Sequence, residues 1–81
     1  RWLGWLTEEI GALGIRVLPA AGNFVCLDFG SPEACRAADL ALRRQGLIPR
    51  TLAEYGMPAH LRVTVGLEAH NRRVVETLAG R

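Results

Sequence analysis

Apolar residues recur at helical spacing near the start of the chain, at Trp2, Leu6, Ile10 and Leu13, with Leu3 beside them and Glu8 and Glu9 on other faces. That spacing predicts a helix over residues 1–13 with one buried stripe, and Gly14 stands where such a helix stops. Trp2 and Trp5 are the heaviest hydrophobes of the chain. A helix that opens on two tryptophans without a cap is expected to have lost preceding turns and a surface to pack on. A Trp pair folded back on the local core is the alternative. Ile15 to Leu18 then forms a short apolar run that Pro19 ends, and Ala20-Ala21-Gly22 reads as a plain loop. From Asn23 to Phe29 the run Phe24, Val25, Cys26, Leu27 and Phe29 is broken only by Asp28. So apolar a stretch predicts a central strand with both faces covered.

Ser31-Pro32-Glu33 predicts the start of a second helix: a capping hydroxyl, proline at the first helical position, and an acid at the positive end of the dipole. Cys35, Ala38 and Leu42, with Ala34 and Ala41, form its buried stripe. Arg36, Asp39, Arg43, Arg44 and Gln45 face water, and Gly46 ends it. Two more strands are expected, at Leu47 to Arg50 and at Leu61 to Val65, separated by the helix- and strand-breaking Tyr55-Gly56-Met57-Pro58. A last helix, Glu68 to Leu78, buries Val74, Val75 and Leu78, with Gly80 as its stop. The order is helix, short strand, strand, helix, strand, strand, helix. It predicts an α/β (α+β) fold with a small mixed or antiparallel sheet of three to four strands, covered by about three helices.

Composition narrows the function classes. Eighty-one residues, 49% hydrophobic and 22% charged, describe one ordinary globular domain and not a disordered segment. A net charge of +2 does not by itself point to nucleic acid. No apolar run approaches the ~20 residues of a membrane span, so no membrane partner is expected. Cys26 and Cys35 read as two core thiols, which favours a reducing compartment such as the cytoplasm. The first methionine is Met57, so the chain is expected to be a piece of a longer protein. All ten basic residues are arginine and none is lysine.

Two of those arginines carry the candidate chemistry. Arg50 and Arg62 each sit at the edge of a short apolar run, on expected neighbouring strands. A guanidinium pairs bidentately with carboxylate or phosphate, so two of them would make a fixed fork for an anion. The pair reads as half of a substrate site. His60, His70, Glu54, Glu68 and the two thiols lack the spacing of a zinc site and read as ordinary surface groups or core thiols. No nucleophile motif and no glycine-rich phosphate cradle appears.

These residues also carry a resemblance. Gly46-Leu47-Ile48-Pro49-Arg50, then Tyr55-Gly56-Met57-Pro58, then Leu61-Arg62-Val63-Thr64-Val65-Gly66 resemble the C-terminal small domain of histidinol-phosphate aminotransferases. Pro19 and Gly22-Asn23-Phe24-Val25 are similar to that family's strand start, and Glu68 with Asn71 to the start of its last helix. Ala20 and Leu67 depart from the pattern. The resemblance implies the aspartate aminotransferase fold type, pyridoxal 5'-phosphate as cofactor, a homodimer, and a role in histidine biosynthesis. It implies that Arg62 grips the carboxylate of the amino-acid substrate and that Arg50 serves the second anionic group, carboxylate or phosphate. Residues 1–81 would then be the small domain, with the large cofactor-binding domain absent. Without a lysine to form the Schiff base, this piece is expected to bind no cofactor, to hold no catalytic residue, and to be silent alone. Cut from its partner domain, it is expected to expose apolar surface around Trp2, Trp5 and the sheet edge, and to self-associate.

Two other classes stand beside this one. A stand-alone α/β module binding RNA or a small ligand would suit the positive charge, but RNA readers of this architecture stack bases on sheet aromatics. The strand aromatics here are Phe24 and Phe29, whose odd spacing places them on opposite faces. The third class is an interaction domain whose arginines only form internal salt bridges.

Overall fold

The computed structural model describes residues 2–18 and 22–80, which fold as one sheet under one layer of helices. The elements are α1 (Trp2–Ala12), β1 (Arg16–Leu18), β2 (Phe24–Asp28), α2 (Pro32–Arg44), β3 (Arg50–Leu52), a 3-10 turn (Ala53–Tyr55), β4 (Met57–Thr64) and α3 (Glu68–Gly80). All pairings are antiparallel and the sheet order is β1-β2-β4-β3. β2 and β3 therefore run parallel, joined by α2, with β4 inserted between them: a split βαβ unit. β4 is the longest strand and a central one, bonded on both sides. The expected Pro19 stop and the Ala20-Ala21 part of the corner lie outside the described residues.

Side-chain alternation decides which face the helices cover. Val25 and Leu27 on β2 and Leu61 and Val63 on β4 are buried, and they pack with Leu6, Ile10, Cys35, Ala38, Leu42, Val74 and Leu78 from the three helices. Leucine residues 6, 27, 42 and 61 are fully excluded from water. Burying a side chain of that size contributes about 1.5–3 kcal/mol. The intervening residues, Phe24, Cys26 and Asp28 on β2 and His60, Arg62 and Thr64 on β4, share the other face. Among the described residues, the buried stripes of the helices pack on the opposite face. The expectation that β2 is covered on both faces is thus corrected: its burial alternates, and two of its apolar residues, Phe24 and Cys26, lie on the open side.

The second helix forms as its sequence dictates. The Ser31 hydroxyl accepts a hydrogen bond from the Ala34 N–H at 3.1 Å, and Pro32 opens the helix. At its end Gly46 takes a positive φ of 80°, its N–H bonds the Arg43 carbonyl, and the Leu47 N–H reaches back to the Leu42 carbonyl. This is a Schellman turn closed by the contact of Leu42 with Leu47 in the core. Leu47–Pro49, expected as strand, follows this turn as irregular chain, and β3 begins only at Arg50. β4 starts four residues earlier than expected, at Met57. It takes in Pro58 where the β3–β4 ladder is irregular, between Thr51 and Leu52, a place where a missing N–H is tolerated.

At the N-terminal helix, Leu6 and Ile10 are buried, whereas Leu3 and Leu13 are exposed. Trp2 and Trp5 are half-buried against the core instead of lying open. Their rings meet edge to face at 5.2 Å, and the Arg72 guanidinium from α3 lies 5.8 and 5.3 Å from the two ring centres. The most exposed large hydrophobics, Leu67, Ile48 and Tyr55, lie elsewhere.

Candidate functional site: two arginines on the open sheet face

Arg50 and Arg62 are direct partners across the β3–β4 ladder. Partners in an antiparallel ladder share a face, with Cβ atoms ~4.5–5.5 Å apart, so both side chains start from adjacent points on the uncovered side. Arg50, on the edge strand, is exposed, and Arg62, on the central strand, is half-buried. Two like charges directly opposite one another cost a few tenths to about 1 kcal/mol. An anion between them removes that repulsion and gains two charge-assisted contacts. Among the described residues neither guanidinium has a carboxylate within ion-pair distance; the pairs that form are Arg36–Glu33, Arg43–Asp39, His60–Asp28 and Arg72–Glu68.

The backbone on either side is held by side chains that the sequence did not mark for this work. Arg43 pairs with Asp39 at 2.8 Å and donates from Nη2 to the Pro49 carbonyl at 3.2 Å, fixing the residue before Arg50. Arg43 is exposed, as expected, and makes these two bonds at the surface. Beyond Arg62, the end of β4 is clamped by two asparagines. Asn23 donates from Nδ2 to the Val65 carbonyl at 2.9 Å, and its own carbonyl accepts the Val65 N–H at 2.9 Å. Asn71, fully buried, accepts the Gly66 N–H through Oδ1 and donates Nδ2–H to the Gly66 carbonyl, both at 2.8 Å. A buried asparagine in a helix whose other buried residues are Val74 and Leu78 was the available signal, since a buried amide must find partners.

The histidines are engaged separately and are not plain surface groups. His60 is half-buried with Nε2 3.6 Å from Asp28 Oδ2, while its Nδ1 is buried without a hydrogen-bond partner among the described residues. His70 Nε2 donates to the Thr64 carbonyl at 3.1 Å, and its ring fills the space a side chain on Gly66 would need. Both thiols are free. Burial pushes the Cys26 thiol up from its ordinary value, and Asp28 adds to the effect. Cys35 is also raised, by burial first and Asp39 second, with Arg36 opposing. Two open grooves lie by the helices, of about 380 Å³ beside Arg44, Gln45 and Glu76 and about 480 Å³ beside Leu47, Leu67 and Arg73. Neither is lined by Arg50 or Arg62.

Comparison with known proteins decides the family. Residues 5–78 match the model of aminotransferase class I and II. The chain belongs to that family. Among curated relatives, the class I and II aminotransferase chain is 44% identical over 80 residues to a histidinol-phosphate aminotransferase of Rhodopseudomonas palustris and 40% identical over 80 residues to one of Nitrobacter hamburgensis. Each match covers 96% of this chain and 22% of the relative. The chain thus spans about a fifth of the length of the curated relatives it matches. Among solved structures, a Burkholderia pseudomallei protein assigned to the aminotransferases superposes with a TM-score of 0.85 at 25% identity, over 98% of this chain and 24% of that one. Pyridoxal phosphate is associated with the family as a whole. The residues present here do not fit its covalent anchoring, because the aminotransferase chain has no lysine amine to offer. No helix among its described residues is long and apolar enough to cross a membrane.

Proposed function

We propose that this chain is the substrate-gripping small domain of a pyridoxal-phosphate-dependent aminotransferase, with histidinol phosphate and 2-oxoglutarate as the substrate pair, products imidazole-acetol phosphate and glutamate. In this reading Arg62 holds the substrate carboxylate and Arg50 the second anionic group. The observation that supports it is that Arg50 and Arg62 are cross-strand partners on the sheet face opposite the core, with no carboxylate ion-paired to either among the described residues. Both substrates are anions of different shape, and two planar forks serve carboxylate and phosphate alike. The similarity to histidinol-phosphate aminotransferases supports the substrate assignment. The remainder of the enzyme supplies the lysine, the cofactor cradle and the opposite wall of the site, in a cytoplasmic homodimer.

The open face also weighs against an RNA-reading module. Phe24 is the aromatic that β2 places there, and the Arg62 guanidinium lies over its ring, occupying the surface on which a base would stack. The proposal is tested by assaying the full-length protein that carries this chain with a panel of amino donors and 2-oxoglutarate. Histidinol phosphate is expected to be the preferred donor. Preference for an uncharged or aromatic amino acid lacking a phosphate would overturn the substrate assignment.

A further inference from the structure

We propose that Phe24 is a positioning residue for Arg62, holding its guanidinium in the plane and direction from which it meets an anion. This inference rests on the anion-grip reading and adds to it a residue that does not touch substrate.

The ladder gives Arg62 two diagonal neighbours on β2. Its direct partner there is Cys26, so Phe24 lies two residues to one side and Asp28 two residues to the other. Long side chains reach diagonal neighbours across a ladder. An arginine in that position would ordinarily turn to the carboxylate. Here Asp28 is otherwise occupied: Oδ1 accepts the Gly30 N–H at 2.9 Å and Oδ2 faces His60 Nε2 at 3.6 Å. The Arg62 guanidinium lies instead over the Phe24 ring, 4.4 Å from its centre. A ring face attracts the cation without donating or accepting through the N–H fork. Phe24 therefore fixes the direction of the fork while leaving its donors and its charge unspent, which a carboxylate partner would not do. Gly22 leaves room for this ring: a Cβ there would sit 3.2 Å from Phe24 Cε2.

The test uses the full-length protein and three variants, with KM for 2-oxoglutarate and kcat read separately. Phe24→Met keeps the bulk and removes the ring, so folding is preserved and the cation–ring contact is lost. A contact of this kind predicts a KM at least threefold higher, with KM changing more than kcat, because an interaction made equally in ground and transition states is lost. Phe24→Tyr retains the ring and is expected to restore KM. Arg62→Ala separates the two readings. If it raises KM strongly while Phe24→Met stays within threefold of the parent, the positioning role is wrong and the anion grip stands. If Arg62→Ala itself leaves KM unchanged, the anion grip fails and this inference fails with it. Equal loss in Phe24→Met and Phe24→Tyr would also overturn it.

Discussion

Asn71→Ala probes the clamp that ends the strand carrying Arg62. Asn71 is fully buried and spends its amide on two hydrogen bonds to one residue, the Gly66 N–H and the Gly66 carbonyl, both at 2.8 Å. A neutral hydrogen bond contributes ~0.5–1.5 kcal/mol net. Two of them give about 1–3 kcal/mol, to which the vacated amide volume adds. Gly66 is itself exposed, so water replaces part of what is lost, and about 2 kcal/mol is the expected destabilisation. A domain of this size has a total stability of about 4–12 kcal/mol, and each kcal/mol moves the melting midpoint by roughly 4–8 °C. The midpoint should therefore fall by about 8–16 °C. Thermal and urea unfolding of parent and variant, followed by far-UV circular dichroism, read this directly. A loss below about 0.5 kcal/mol, against the net worth expected of two such bonds, would refute the reasoning.

Three further outcomes follow from the packing and the caps. Ser31→Ala removes the acceptor of the Ala34 N–H and is expected to cost about 1 kcal/mol in urea unfolding; no change would mean that water caps the helix equally well. Leu61→Ala, in the fully buried centre of β4, is expected to cost about 3–5 kcal/mol and to leave the domain largely unfolded near body temperature. A cost under 1 kcal/mol, well short of that measured for buried leucines, would contradict the core described here. The raised thiols give a pH dependence: the folded state keeps protons that the unfolded chain releases, so stability falls as pH rises through and beyond the ordinary thiol range of about 8.5. Unfolding midpoints between pH 7 and 10 should drop, and a Cys26→Ser, Cys35→Ser double variant should drop less. Equal slopes would put the effect on other groups.

Local chemistry was legible where a few adjacent residues decide the outcome. Ser31-Pro32 begins a helix and Gly46 ends one because capping and positive φ are set within a turn. A small mixed or antiparallel sheet, with Arg50 and Arg62 on neighbouring strands, followed from two runs separated by a turn. What the residues did not show depends on distant partners. The β3–β4 register, which makes the two arginines direct neighbours, is fixed by the irregularity at Thr51/Leu52 and by the 3-10 turn. Phe24 and Cys26 look like core residues, yet they lie on the uncovered face, and apolarity alone carries no information about which side the helices take. Leu47 was read as strand because it is apolar; it is buried instead through the turn it closes with Leu42. Asn71 looked like a helix-start polar residue and proved to be the clamp on Gly66.

The most direct test of the anion grip is the Michaelis constant of the full-length protein for 2-oxoglutarate and for histidinol phosphate in Arg62→Lys and Arg50→Ala variants. Lysine retains the charge but not the bidentate fork, and each charge-assisted contact contributes about 1.5–3 kcal/mol, roughly a 10- to 150-fold change. KM is expected to rise at least tenfold for 2-oxoglutarate in Arg62→Lys, and for both 2-oxoglutarate and histidinol phosphate in Arg50→Ala. Constants within twofold of the parent in both variants would leave the two guanidiniums as surface charges and contradict the account.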